Sequence, residues 1–489
     1  MATKKQSPHP HWAIKYRKPG TELRKIGTNY YLYQVYSVYD KNAKKARKET
    51  GPLLGKITQE EGFIESKEQK QIKAAQQQLP EQLKVIEYGL SKYLIEHCSA
   101  FWQTLQQHYP EDWNLLAGMA YTRLMTQAPI KNMNELLHRS YWAHWSSLQG
   151  YSEKKISQKL RQWGRQESLM LKYMRSFIEE KDFILIDATD MLCKSQYISL
   201  AHKGYNSKLD FQPQFNLLYL FSQQSQMPVF YRIVGGNIRE IKAFKNTLDE
   251  SGIEKAVLVG DKGFYSKSNV EHLESYGLQY IVPLRRNNKH IEYMALEENT
   301  FKEANQYFKH EKRNIWYHQY EIDGRRLIIY LDEQLKVQEE NNYLNRIETH
   351  PEDYTLEKFH EKRDRFGTLA LYTNLKEPDA ETVYQTYKSR NAIEVMFDGM
   401  KTVLSADSTF MQNEEALRGW MFVNHIALQC YQSIYLHLKK EKLLKKYSVK
   451  DVILHLNHIK RVRLNGNWKN SEVTTATQRL VDTLNVPIT

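Results

Sequence analysis

KDFILIDATDM, residues 181–191, is where the period of the chain changes. Upstream, apolar residues recur every three or four positions in QKQIKAAQQQLPEQLKVIEYGLSKYLIEHC, DWNLLAGMAYTRLMT and SEKKISQKLRQWGRQESLMLKYMRSFIEE. That is a helical period. Ser152 stands where it can cap the last of these helices. Within 181–191 the apolar residues run together from Phe183 to Ile186 and end in acids. A short continuous apolar run of this kind reads as a buried strand, here one that stops at Asp187.

Downstream, FNLLYLF and MPVFYRIVGGN read as two more strands joined by the polar turn SQQSQ. IREIKAFKNTLDESG reads as a helix, KAVLVGDKGFY as a strand and turn, SKSNVEHLESYG as a helix and LQYIVPL as a strand. Three adjacent strands followed by alternating helix and strand predict an α/β fold with a mixed sheet. Residues 286–366 interrupt the alternation. NIWYHQYEIDGRRLIIYLDE predicts a hairpin turning at IDGR, and EQLKVQEENNYLNRIE a helix. The pattern resumes at TLALYTN, before YKSRNAIEVMFDGMK at 387–401. A long apolar helix, ALRGWMFVNHIALQCYQSIYLHL, and a basic block close the chain.

Read as domains, residues 1–64 form a basic β-hairpin region suited to DNA, and 65–180 a helical DNA-binding or dimerisation region. Residues 181–285 and 367–430 are the two parts of the α/β core, 286–366 the β-rich insertion and 431–489 a basic helical C-terminal region. In the first sixty residues thirteen Lys or Arg face four acids. There NYYLYQVYSVYD alternates like a strand, DKNAKKARKE makes a basic turn and TGPLLGKI a second short strand. Such a surface suits a phosphate backbone, although edge lysines also serve to block strand pairing.

Across all 489 residues, 70 Lys or Arg against 57 acids give a formal charge of +13, which admits a polyanionic partner. The three cysteines, Cys98, Cys193 and Cys430, contain no CxxC pair. A disulfide framework or thiolate zinc site is therefore not expected, and a reducing cytoplasm is. No apolar leader or membrane span is expected, since no 18-residue apolar run exists.

Three acids stand out. Asp187 and Asp261 each follow an apolar strand, and strand ends in α/β sheets are where sites form. An Asp in that place is also a common turn or cap residue. Glu394 lies in the helix of 387–401. At about 100° per residue, Tyr387, Arg390, Glu394 and Lys401 fall within roughly 60° of one another. Ile393, Phe397, Met400 and Leu404 form an apolar stripe beside them. The stripe would anchor the helix, leaving a phenol, two cations and a carboxylate at the rim. Three clustered carboxylates repel, by roughly 4 kcal/mol per pair at about 4 Å and an effective dielectric near 20. Divalent cations remove that cost, and oxygen-only ligands favour Mg²⁺ or Mn²⁺. Two such ions about 3.5–4 Å apart suit phosphoryl transfer.

These residues resemble the DDE transposases of bacterial insertion sequences, in the branch named for a Tyr-x2-Arg-x3-Glu-x6-Lys signature. Tyr387, Arg390, Glu394 and Lys401 match that spacing without a gap. LIDATD resembles the family's first-Asp strand, GDKGFY its second-Asp turn and GGNIREIKAF the segment between them. The resemblance covers about residues 180–430. It implies a ribonuclease-H-like core and a homodimer that binds terminal inverted repeats, nicks them with water and joins the freed 3′-OH to target DNA. It also implies that Asp187, Asp261 and Glu394 hold two Mg²⁺ or Mn²⁺ ions, and that Tyr387, Arg390 and Lys401 grip phosphates near the cut. Trp316 on the insertion hairpin would stack on an extruded base, as an insertion-domain Trp does in related proteins; such stacking is worth about 1–3 kcal/mol.

Other readings compete. Arg390 and Glu394 also suit an i,i+4 surface pair, Asp190 a turn cap, and Trp316 a half-buried hairpin position. His202, His272 and His425 have no metal spacing and read as surface or core histidines. A retired DNA-binding descendant and a metal nuclease without strand transfer are the alternative functions. An aspartyl phosphatase would need Asp-x-Asp, whereas Asp187 and Asp190 are three apart.

Overall fold

The computed structural model describes residues 8–488 apart from 41–44, 78–82, 149, 180–183, 206–210, 236–239, 254–256, 261–263, 298–301, 303–305 and 465. Two compact units emerge, residues 1–84 with 462–469, and residues 85–461 with 470–489.

The first unit is an antiparallel meander of β1 (Thr21–Ile26), β2 (Asn29–Asp40), β3 (Lys45–Thr58) and β4 (Gly62–Glu65). The expected hairpin is thus a four-stranded sheet, and its second strand is longer than TGPLLGKI. The added strands give Leu23, Tyr30, Leu32 and Ile57 a shared core that a lone hairpin lacks. Past the Thr21–Gln34 pair β1 ends, and β2 and β3 continue as a two-stranded ribbon with Tyr36 and Tyr39 exposed.

LKVIE, which ends the first stretch of one unit and begins the other, departs from the expected helix and forms the strand β5 (Leu83–Glu87). Val85 and Ile86 are β-branched and favour extended backbone. The buried Glu87 carboxylate then accepts the amides of Leu90 (2.7 Å) and Ser91 (3.2 Å), which starts the next helix. Further along come helix α1 (Trp113–Thr126) and helix α2 (Glu153–Arg165); Ser152 caps α2 by accepting the Lys155 amide at 3.3 Å.

The large sheet is built on β6 (Ile184–Cys193), β7 (His202–Tyr205), β8 (Phe211–Ser222), β9 (Pro228–Gly235), β10 (Val257–Val259) and β11 (Gln279–Pro283). β8 runs antiparallel to both β6 and β9, while β10 and β11 run parallel to β6. The order β9-β8-β6-β10-β11 is consistent with a ribonuclease-H-like core. Between these strands lie helix α3 (Glu240–Ser251) and helix α4 (Lys267–Ser275).

The sheet does not stop at β11. β12 (Tyr307–His310), β13 (Arg313–Ile322) and β14 (Arg325–Asp332) continue it through β15 (Thr368–Thr373), so the strands of 286–366 extend the core sheet rather than building a separate one. The reason lies in β14, whose residues from Leu327 to Asp332 are all buried. A strand buried on both faces needs a neighbour along each edge. The β13–β14 turn falls at Asp323 and Gly324, both with positive φ (51° and 74°), as a tight hairpin of this kind requires.

Helix α5 (Glu333–Thr349) follows β14, helix α6 (Ala380–Asp398) follows β15, and helix α7 (Glu414–Lys440) packs on α1, α2 and β9. A side chain on Gly164 would overlap the backbone of Glu415, and one on Gly419 that of Leu160, so two glycines let α2 and α7 cross closely. Among the described residues no helix is long and apolar enough to cross a membrane.

Candidate phosphoryl-transfer site

β6 runs through Asp187 to Cys193 instead of ending at the acid, paired with β8 from Ile184 to Leu192. Its other edge tells a different story. There β10 pairs only as far as Ile186, and the short β16 (Ser408–Thr409) takes over at Leu192. The edge between them, from Asp187 to Met191, has no strand neighbour among the described residues. Asp187 and Asp190 both lie in that gap. The period of the sequence marks where a strand is apolar; it does not mark where a neighbouring strand leaves.

α6 crosses the gap. Asp379 caps it by accepting the Thr382 amide at 2.8 Å. Ile393, Met396, Phe397, Met400 and Leu404 are all buried, so the apolar stripe anchors the helix as expected. The polar row is broken, however. After Asp398 the α-helix gives way to a π-helical turn, Gly399–Val403. Gly399 rests against the Tyr431 ring, where a Cβ would collide. Such turns are frequent at functional sites. The π-turn carries Lys401 toward β6, with Nζ 3.8 Å from Asp190 Oδ1.

The result is a cleft of about 450 Å³, with Asp187, Thr189, Gly260, Arg390, Glu394 and Lys401 on its walls. Arg390 stands between the acids, Nε 3.6 Å from Asp187 Oδ2 and Nη2 3.6 Å from Glu394 Oε1. At that range the charges attract without a hydrogen bond. Arg390 Nε is buried and finds no acceptor among the described residues. Burial pushes the Asp187 carboxyl above the usual carboxylate range, against the pull of Arg390 and of the Ala188 amide at 2.9 Å; the nearby Glu394 charge pushes the same way as burial.

Of the residues expected here, the cleft unites Asp187, Arg390, Glu394 and Lys401. Asp261 lies outside the described residues, although its neighbour Gly260 is on the cleft wall. Tyr387 is half-buried on α6 and is not on that wall. Trp316 is not on it either. It sits on β13, four strand steps or about 19 Å from β10. Its Nε1 donates to Glu333 Oε2 at 3.3 Å, with the Tyr307 ring 5.0 Å away. His425 is a fully buried core histidine beside Tyr219 and Tyr231. Asp398 also lines the cleft and went unread in the sequence; its spacing of four from Glu394 was the available signal.

The donor set suits a hard divalent cation. Asp187 and Glu394 offer only oxygen to one cleft, and a dication would hold the desolvated Asp187 ionised. Among the described residues no group of three or more His, Cys, Asp or Glu gathers for a metal.

A family model described as the transposase DDE domain matches residues 178–430, more than half of the chain. The chain belongs to that family. No curated protein matches it. Among solved structures, the chain is similar to a piggyBac transposase synaptic complex with hairpin DNA, at 12% identity and a TM-score of 0.38, over 76% of this chain and 80% of that one.

Proposed function

We propose that this transposase binds the terminal inverted repeats of an insertion sequence, cleaves the strand ends and joins them to target DNA. The observation that carries the reading is Arg390, a half-buried guanidinium on the cleft wall, held between Asp187 and Glu394 at 3.6 Å from each. A phosphodiester in the cleft would accept from the exposed part of that guanidinium.

Each residue then has a task. Asp187, Asp261 and Glu394 would hold two Mg²⁺ or Mn²⁺ ions. When bound, such ions favour attack by water or a 3′-OH on phosphorus and stabilise the leaving oxygen. Arg390 orients the scissile phosphate, and Lys401 adds a point charge on its far side. Tyr387 contacts the neighbouring backbone, and Trp316 stacks on a base drawn away from the carboxylates. The basic sheet of residues 1–64 and the helices of 65–180 engage the ends, and two copies of the chain pair them. The spacing of Tyr387, Arg390, Glu394 and Lys401 supports membership of the Tyr-Arg-Glu-Lys branch.

The test is a plasmid carrying a marker between the gene's own flanking ends, incubated with the protein and Mg²⁺. Excised marker joined to new DNA is the expected product. Cleavage without joining makes the protein a nuclease. End binding without cleavage makes it a retired descendant.

A further inference from the structure

A second cleft, of about 470 Å³, opens beside the first in the same unit. Phe264 lines the catalytic cleft, and the next residue, Tyr265, lines this one. Its walls also carry Lys267, Lys289, His290, Arg325 and Tyr372. Against these cations the lining holds one acid, Asp323 of the β13–β14 turn.

The cations differ in how far they are engaged. Arg325 is committed, with Nε and Nη2 donating to Glu274 at 2.7 and 2.6 Å. That pairing gives the cleft a fixed wall. Among the described residues Lys267 pairs only with Glu271, at 4.0 Å, and its side chain is 84% exposed. Lys289 is exposed and has no acidic partner among the described residues. Tyr265 and Tyr372 meet edge to face, with centroids 5.7 Å apart and planes at 88°. The cleft therefore offers two available ammonium groups beside an aromatic wall.

An enclosed site for a small anion would bury its cations and satisfy them from several sides. Here they stand at an open rim, which suits a polyanion passing across it. We propose that this cleft holds backbone phosphates of the DNA a short way from the scissile bond, on Lys267 and Lys289, with a sugar or base edge against the tyrosines. The proposal rests on the DNA-processing reading above. Contacts of this kind fix register and carry no base sequence.

The test labels the lysines of the full-length protein with an amine-reactive reagent, with and without a 40-base-pair duplex, and locates the label by mass spectrometry. A mobility shift with the same duplex is run in parallel. The expected result is that the duplex protects Lys267 and Lys289 several-fold more than Lys92 and Lys245, which line neither cleft. The variant Lys267→Ala/Lys289→Ala should also flatten the slope of log affinity against log salt, by about 0.9 for each phosphate lost. Duplex binding that leaves both lysines fully reactive overturns the proposal and leaves the transposase reading standing. Equal protection by inorganic phosphate alone overturns it in favour of a small-anion site. Failure to bind any duplex overturns both.

Discussion

Arg390 Nε lies 3.6 Å from Asp187 Oδ2, joining a helix to a strand edge that no neighbouring strand covers among the described residues. If that guanidinium stabilises the transition state, Arg390→Gln lowers strand cleavage by about 10²–10³-fold. Arg390→Lys does not rescue it, because an ammonium lacks the planar fork. Cleavage rates measured on end DNA, with thermal unfolding as the control for folding, check this. Activity retained by the Gln variant would remove Arg390 from the chemistry.

Trp316→Ala should impair excision more than end binding. Mobility shifts and excision yields on the same DNA separate the two effects. Excision at the wild-type level would return Trp316 to a structural role beside Tyr307 and Glu333.

His425 gives a pH dependence with a definite sign. Complete burial pushes its imidazole down to about 3, so the folded state keeps it neutral while the unfolded chain protonates near the ordinary value of 6.5. Its contribution is whole above pH 6.5 and is lost as pH falls from there toward 3, by at most about 1.4 kcal/mol per unit. Urea midpoints at pH 7, 6 and 5 should therefore fall more steeply for the wild type than for His425→Phe. Parallel curves would contradict it.

The α2–α7 crossing makes a prediction of its own. Gly419→Ala presses a methyl on the Leu160 backbone and should cost about 1–3 kcal/mol, as should Gly164→Ala against Glu415. The double variant should cost less than the sum, because the helices separate only once. Denaturant unfolding of the three variants measures this, and strict additivity would contradict it.

Much of this was legible in the sequence because it rests on period. The stripe from Ile393 to Leu404 buries as its spacing requires, and the β13–β14 turn falls at Asp323–Gly324. The departures have physical causes that period does not encode. LKVIE is apolar enough for either element, and the Glu87 carboxylate arbitrates by capping the following helix. Asp187 reads as a strand end, yet the strand continues and its neighbour ends instead. The π-turn begins at Gly399, whose missing side chain leaves room for the Tyr431 ring, more than thirty residues away in the chain. The second cleft joins residues from β14, β15, the 288–290 segment and the start of α4, and no local pattern could have linked them.

The most direct test of the central claim compares strand cleavage at the element's ends by the wild type and by Glu394→Gln, each with Mg²⁺ and with EDTA. The account expects cleavage only by the wild type with Mg²⁺, and equal binding to the ends by both proteins. Cleavage by Glu394→Gln, or by the wild type in EDTA, would contradict a metal-dependent site shared by Asp187 and Glu394.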